Sequence, residues 1–181
     1  MRIERSLARR SWMTMRVAAP ALIAGVVALA APASARASAA DCTAAMKAAT
    51  LQSKTPFHAT YTVTPTTPGA FPIEHHEEIW VGNTRYDLLA DKRWLSVRVT
   101  DNPMGGFTGP ISGFSDCRSV PSASIRGEVA AGYDVKMESG RRTKMWISPK
   151  SGLPVRDVVD QDILLVTLEF DYANVHAPAA H

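Results

Sequence analysis

The sequence predicts an α+β protein in which one N-terminal helix packs on a curved antiparallel sheet of about eight strands. Three observations support this fold class. Residues 41–54 are rich in good helix formers, the chain from residue 57 onward alternates apolar and polar side chains, and short polar turns join the alternating segments. A meander of this kind has one apolar face that must be covered, and the helix is the only evident cover.

Residues 1–40 have the pattern of a secretory signal peptide. A start with five arginines precedes the apolar run "VAAPALIAGVVALAAPA", and the small residues "SARASAA" follow it. We expect cleavage after Ala39 or Ala40, with the periplasm as the destination and secretion as the alternative. An uncleaved anchor is the competing interpretation, but the run is short for a membrane span of about 20 residues. Arg9-Arg10 resembles a twin-arginine signal only loosely, so Sec export is favoured.

Removal of residues 1–40 changes the charge of the protein. That segment holds six of the 20 Lys and Arg residues and one of the 17 Asp and Glu residues, which leaves 14 basic and 16 acidic residues. The net charge of the remaining chain is therefore about −2, and the sequence pI of about 9.0 belongs to the precursor. This balance gives no support for a nucleic-acid partner. We expect one domain over 41–176, a flexible tail over 177–181, and a monomer.

The chain contains two cysteines, Cys42 and Cys117. In an exported protein they most simply form a disulfide. Two free thiols or a redox pair are the alternatives, although no C-x-x-C motif is present.

The first element is a helix over 41–54 that ends before Pro56, with Met46, Ala49 and Leu51 on a possible apolar side. Alternating or strand-forming segments then follow, with a hairpin signal at Gly82-Asn83. These eight segments cover 57–64, 73–81, 85–90, 93–100, 128–137, 143–148, 153–160 and 163–175.

Residues 101–117 interrupt the alternation. The segment "DNPMGGFTGPISGFSDC" has four glycines and two prolines, yet it also contains apolar side chains that a polar surface loop would not need. Either this loop packs its own side chains inward, or it forms a lid over the apolar face of the sheet. The candidate lid residues are Met104, Phe107, Ile111 and Phe114.

The segment "IEHHEEIW" (73–80) holds two histidines and three glutamates. In a strand, Glu74, His76 and Glu78 share one face while His75 and Glu77 share the other. One strand supplies at most two good ligands to a metal ion, because residues i and i+2 lie about 6.5–7 Å apart. We therefore interpret the segment as a solvated strand face. A weak metal site or a pH response of His75 and His76 is the alternative.

The segment "MWISPKSGLPVR" (145–156) predicts strand, turn and strand. Pro149 and Gly152 suit a tight turn at 148–152, and Pro154 early in the returning strand indicates a sheet border or an irregular point. Together with the closing segment "VTLEFDYANVHAP", this hairpin resembles the LolA/LolB-like superfamily of bacterial envelope proteins, which includes mycobacterial lipoprotein-type lipid carriers. The resemblance implies an unclosed half-barrel with a helical lid and a concave apolar cavity for acyl chains.

The cavity that the resemblance implies would be lined by aromatic and apolar strand residues, most of which could equally serve as core. The candidates are Phe57, Tyr61, Trp80, Leu88, Trp94, Tyr133, Trp146 and Phe170. We expect no catalytic residue, cofactor or metal, since no nucleophile elbow, P-loop or dinucleotide fingerprint is present. The predicted function is to hold a lipid, a lipoprotein acyl chain or another apolar ligand. The alternative is an envelope protein-interaction or stress-sensor module on the same fold.

Overall fold

The computed structural model describes residues 38–99 and 113–179, which form one helix and nine strands. The elements are α1 (Ala39–Gln52), β1 (Phe57–Pro65), β2 (Glu74–Val81), β3 (Thr84–Leu88), β4 (Trp94–Arg98), β5 (Phe114–Ile125), β6 (Glu128–Met137), β7 (Arg142–Ile147), β8 (Pro154–Gln161) and β9 (Leu164–Asp171). The strands form one antiparallel sheet in the order β4-β3-β2-β1-β9-β8-β7-β6-β5. Because β4 and β5 are its two borders, the sheet is not closed, and the predicted fold class is confirmed.

The sheet has one strand more than the eight that the alternation predicts. β5 begins at Phe114, inside the segment that was predicted to be a loop. Pro121 and two register shifts, between Ser115 and Arg118 and between Val120 and Ala123, break its period of two. β5 pairs only with β6, and a border strand tolerates such irregularities because half of its backbone groups face away from the sheet. This is why the pattern did not indicate a strand.

The helix α1 contacts β5, β6, β7 and β8. Of the predicted apolar side, Ala49 is buried, Met46 is half-buried and Leu51 is 39% exposed. The buried residues of the helix are Ala45, Ala48, Ala49 and Gln52. Alanine side chains let the helix axis approach the sheet closely, which explains why the small residues, and not the large ones, face the core.

Three contacts fix the start of α1 to β5. The Cys42–Cys117 disulfide joins them with a Cα–Cα distance of 5.1 Å, so the predicted pairing is confirmed. The Ser38 N–H donates to the Cys117 carbonyl at 2.8 Å. The Asp41 carboxylate accepts from the Ser119 N–H at 3.1 Å and from its hydroxyl at 2.8 Å. The disulfide suits an oxidising compartment.

The hairpin between β7 and β8 forms the predicted tight turn. The Ser148 N–H donates to the Leu153 carbonyl at 2.9 Å, the Gly152 N–H donates to the Ser148 carbonyl at 2.8 Å, and Gly152 has φ +71°. A register shift follows Trp146, so Pro154 pairs with Ile147 at an irregular point. The hairpin is not a sheet border, because β6 and β9 flank it.

The main core cluster lies on β1, β2, β8 and β9. Its buried members are Phe57, Ala59, Val63, Trp80, Val159, Val166, Leu168 and Phe170. Two smaller clusters join α1 to the sheet through Ala45, Ala48 and Ala49. Within residues 38–99 and 113–179, no helix is long and apolar enough to cross a membrane.

Candidate ligand-binding face

The register of the strands defines two faces of the sheet. We call the side that carries Met145 and Ile147 the inner face, because Ala48 and Ala49 of α1 pack there. Paired residues of an antiparallel sheet point to the same side. Met145 pairs with Asp157, Asp157 with Leu168, Leu168 with Tyr61, and Tyr61 with His76, so these side chains share the inner face from β7 to β2.

The helix covers only one end of this inner face. It lies on β5 to β8, whereas the inner face continues across β9 and β1 to β4. On the outermost strand, Leu95 pairs with Asp87 and Val97 pairs with Arg85, which places both apolar side chains on the inner face. Leu95 is 49% exposed. The inner face of β1 to β4 is therefore not covered by α1, and its chemistry is mixed. The apolar side chains of β1 are mostly buried, charged side chains occupy β2 and β3, and Leu95 and Val97 are apolar on β4.

Polar side chains also lie on this part of the inner face. Arg85 Nε lies 2.9 Å from Asp87 Oδ1, and the Arg85 guanidinium lies 5.9 Å from the centre of the Trp80 ring system. The Tyr61 ring stacks on His76 at 4.8 Å between centroids. Burial raises the pKa of the Glu78 carboxyl and raises the pKa of Tyr61 to about 12. A ligand on this surface would contact both apolar and polar groups.

A cleft of about 230 Å³ lies at the C-terminal end of α1. Its floor is aromatic, because Phe57 and Trp80 stack at 5.8 Å between centroids and Phe57 meets Phe170 edge-on at 5.6 Å. The lining residues are Gln52, Ser53, Lys54, Thr55, Phe57, Trp80, Gly82 and Asn83. The cleft thus connects the helix end to the main core cluster.

Buried polar atoms without a partner lie in and beside this cleft. Four buried atoms have no hydrogen-bond partner among the described residues: the two amide atoms of Gln52, the Trp80 indole nitrogen and Asp157 Oδ1. Asp157 is 1% exposed on the inner face, and its burial raises its pKa to about 7. Each such orphaned group costs roughly 1–3 kcal/mol, so the grouping calls for a physical explanation.

The predicted cavity-lining residues divide between the two faces. Phe57, Tyr61, Trp80, Tyr133 and Phe170 lie on the inner face, with Tyr133 packed against the clusters beneath α1. Their role in ligand binding stays a prediction.

The other three predicted lining residues point away from that face. Leu88 and Trp94 pair with each other on the outer face. Trp146 pairs with Gly132 there, and its indole N–H donates to the Pro121 carbonyl at 3.2 Å. Trp146 has a packing role, since a Cβ at Gly132 would lie 3.0 Å from its indole nitrogen. Alternation within a strand shows which residues share a face, but not which face is the inner one. The sequence therefore could not distinguish Trp80 on the inner face from Trp94 and Trp146 on the outer face.

The predicted lid residues lie mostly beyond the described part of the chain. Met104, Phe107 and Ile111 fall outside the described residues. Phe114 is the first residue of β5 and packs, half-buried, against the clusters beneath α1.

The two adjacent histidines do not act together. His76 lies on the inner face with its Nε2 at 3.1 Å from Glu74 Oε2, and His75 lies on the outer face with its Nδ1 at 3.1 Å from the Thr62 hydroxyl. Within the described ranges, no group of three His, Cys, Asp or Glu side chains could hold a metal ion.

Gln52 and Asp157 were not among the predicted site residues. A usable signal existed for Asp157, because it occupies the apolar phase of "VRDVVD" between Val155 and Val159. Gln52 carries no comparable signal, since a glutamine in the last turn of a helix is usually solvated.

Comparison with known proteins finds a similar fold in two mycobacterial proteins of known structure. No family model matches the chain, and no curated protein matches its sequence. Among solved structures, LprF from Mycobacterium bovis superposes with a TM-score of 0.52 and 13% identity, over 80% of this chain and 98% of LprF. The Mycobacterium tuberculosis lipoprotein LppX superposes with a TM-score of 0.50 and 13% identity, over 74% of this chain and 95% of LppX. At such identities the similarity is one of fold.

Proposed function

We propose that this chain is an exported binding protein that holds the apolar part of a lipid, a lipoprotein acyl chain or a similar ligand on the inner face of its open sheet. The observation that carries the proposal is the partial cover: α1 lies on β5 to β8, and the inner face continues beyond it, past the Arg85–Asp87 ion pair, to the apolar residues Leu95 and Val97 on β4. Burial of an acyl chain there is worth about 0.8 kcal/mol per methylene before ordering costs. The fold shared with the lipoprotein LppX supports an envelope location.

A matched pair of variants on β4 tests this proposal. Leu95 and Ser96 are adjacent and exposed, but they point to opposite faces of the sheet. Leu95→Asp introduces a charge on the inner face and should weaken binding of a fluorescent palmitoyl probe at least about tenfold, because the chain would have to desolvate a carboxylate. Ser96→Asp introduces the same charge on the outer face and should leave probe affinity unchanged.

Native mass spectrometry of protein purified from the cell envelope provides an independent test. We expect a bound species that organic solvent extracts. Protein that carries no extractable ligand and binds no palmitoyl probe would contradict the proposal.

A second candidate function is recognition of an extended segment of an envelope protein at the free edge of β4. The Leu89 N–H donates to the Arg93 carbonyl and the Val99 N–H donates to the Asn83 carbonyl. The backbone groups of the alternate residues Trp94, Ser96 and Arg98 therefore point away from β3. Pro178 and Ala179 line a cleft with Trp94 and Ser96, so a partner strand would pack beside these C-terminal residues or displace them. The opposite border, β5, is interrupted by Pro121 and is less suited to pairing.

This alternative predicts that Ser96→Pro abolishes a specific envelope crosslink while palmitoyl binding persists, because proline removes the outward N–H. Ser96→Ala is the matched control and should retain the crosslink. Equal crosslinking by both variants would argue against recognition at this edge.

A further inference from the structure

We propose that the cleft at the C-terminal end of α1 binds the polar end of the ligand, and that this end is an uncharged group with both hydroxyl and carbonyl or ether oxygens. This inference rests on the proposed function, because it assigns a place to the part of the ligand that the inner face does not hold. It goes further by naming the head-group chemistry and the residues that would select it.

The size of the cleft suits a head group and not a whole chain. Its volume is about 230 Å³, below the roughly 300–1,000 Å³ of pockets that enclose drug-sized ligands. Its aromatic floor continues through Phe57 into Phe170 and the main core cluster. These core residues are buried, so the apolar surface open to a ligand near the cleft is on β4, where Val97 pairs with Arg85 and Arg85 pairs with Trp80.

The hydrogen-bonding groups of the cleft are buried and unmatched. Gln52 is 0% exposed and Trp80 is 4% exposed, yet neither side chain has a hydrogen-bond partner within the described chain. The Trp80 N–H lies near the Glu78 carboxyl and partly offsets the rise that burial causes in the pKa of Glu78. The two groups are nevertheless not in hydrogen-bond geometry. Tyr172 lies near Gln52 in the same way, and its hydroxyl donates to the Pro154 carbonyl at 2.7 Å.

The polar atoms of Gln52 and Trp80 have almost no accessible surface in the free protein, so these side chains must turn toward the cleft to reach a ligand. Once turned, they define the chemistry of a matching ligand. The Gln52 amide offers two N–H donors and one oxygen acceptor, and Trp80 offers one N–H donor. A ligand needs acceptor oxygens for the donors and at least one hydroxyl for the Gln52 oxygen. Lys54, the one ionisable residue of the lining, is exposed. An anionic head group would lose its hydration without a buried counter-charge, so an uncharged group is favoured.

The unpartnered polar atoms of Gln52 and Trp80 lower the stability of the ligand-free protein, which is consistent with a binding role for them. Leucine fills nearly the same volume as glutamine and has no polar atoms to satisfy, so it would suit a purely structural position better. Binding residues commonly sacrifice stability in this manner.

Two probes with the same tail and different heads test the inference: monopalmitoylglycerol, which is uncharged, and palmitate, which is an anion. We expect the wild-type protein to bind the glycerol ester more tightly. Gln52→Leu should weaken monopalmitoylglycerol binding about three- to tenfold, which corresponds to one or two neutral hydrogen bonds, and should weaken palmitate binding less, so the preference for the glycerol ester should shrink. The same variant should raise the melting temperature of the ligand-free protein.

Thr143→Val is the matched control. Thr143 is also buried with an unpartnered hydroxyl, but it does not line the cleft. This variant should stabilise the free protein without changing the affinity for either probe. Trp80→Phe removes the indole N–H, keeps an aromatic ring and should weaken glycerol-ester binding selectively, which provides a second test if Gln52→Leu disturbs folding.

The outcomes separate the two proposals. If neither probe binds the wild-type protein, the proposed function fails and this inference fails with it. If both probes bind but Gln52→Leu and Trp80→Phe leave the preference for the glycerol ester unchanged, the cleft is not the head-group site and the proposed function stands.

Discussion

At the scale of single residues, Asp157 is a carboxylic acid that lies almost fully buried among apolar side chains. On the inner face, it pairs with Met145 and Leu168 across the neighbouring strands. Burial raises its pKa from 3.8 to about 7, because a carboxylate without a nearby cation loses its hydration there. The carboxyl group is therefore predominantly protonated in the folded protein below pH 7.

This shift predicts a pH-dependent stability. Between pH 4 and pH 7 the folded state binds a proton that the unfolded state has released, so the free energy of unfolding should fall as the pH rises through that window and level off above it. The full effect is at most about 4 kcal/mol for a shift of this size. Asp157→Asn should remove most of this slope and be more stable than the wild type at pH 7.5, as measured by urea unfolding at pH 4.5 and 7.5.

Asp162→Asn, in the exposed turn between β8 and β9, is the control and should keep the wild-type slope. An Asp157→Asn protein with an unchanged slope would show that another group dominates the dependence on pH.

At the scale of elements, α1 is held to the sheet mainly by covalent and polar contacts at its start. Its buried side consists of three alanines and Gln52, which bury little apolar area, and its N-terminal residues are tied to β5 by the disulfide and by the contacts of Ser38 and Asp41. The helix depends on these ties more than a helix with large apolar side chains would.

The disulfide should therefore contribute strongly to stability. It links residues separated by 75 positions, for which the loop-entropy model gives about 4 kcal/mol. The Cys42→Ser/Cys117→Ser double variant should lose roughly 2–4 kcal/mol in guanidinium unfolding. Amide exchange in α1 should accelerate more than in β1 and β9, since α1 is the tethered element.

Reduction of the wild-type protein with a thiol reagent should reproduce the same loss, and the double variant should not respond to the reagent. A double variant as stable as the wild type would show that the helix is held by packing alone.

At the scale of the whole molecule, the predicted signal peptide (1–40) overlaps the first residues of α1 and its N-cap, Ser38. Predicted cleavage after Ala39 or Ala40 would remove Ser38, whose hydroxyl accepts from the Asp41 N–H at 3.1 Å as the helix N-cap. Loss of such a cap costs typically about 1 kcal/mol. Asp41 would then hold the shortened helix through its bonds to Ser119.

Two truncated chains can test this consequence. A chain that begins at Ser38 should be about 1 kcal/mol more stable in urea than a chain that begins at Asp41, since only the first retains the cap. The intact mass of protein from the envelope fraction should match a chain that begins at Ala40 or Asp41. A mature mass that includes Ser38 would place the cleavage site earlier.

Much of the fold could be predicted because its signals are local. Alternation in "FHATYTVT" identifies β1, Gly152 and the prolines identify the turn of the β7–β8 hairpin, and the helix formers identify α1. β5 could not be predicted, since Pro121 and its bulges remove the local period and only pairing with β6 makes it a strand. Of the predicted lining residues, Phe57, Tyr61, Trp80, Tyr133 and Phe170 lie on the inner face, and their role in ligand binding stays a prediction.

By itself, the sequence determined the fold class, the disulfide partners and the two sets of side chains on the strands with regular alternation, because composition and local periodicity carry these signals. The tertiary structure decided which of those two sets faces α1, which is why Trp80 lies beside a cleft while Trp146 packs on the outer face. It also decided that the Gln52 amide and Asp157 Oδ1 are buried without a hydrogen-bond partner among the described residues. Burial depends on contacts between residues distant in the chain, so the local pattern indicates a phase at Asp157 and nothing at Gln52.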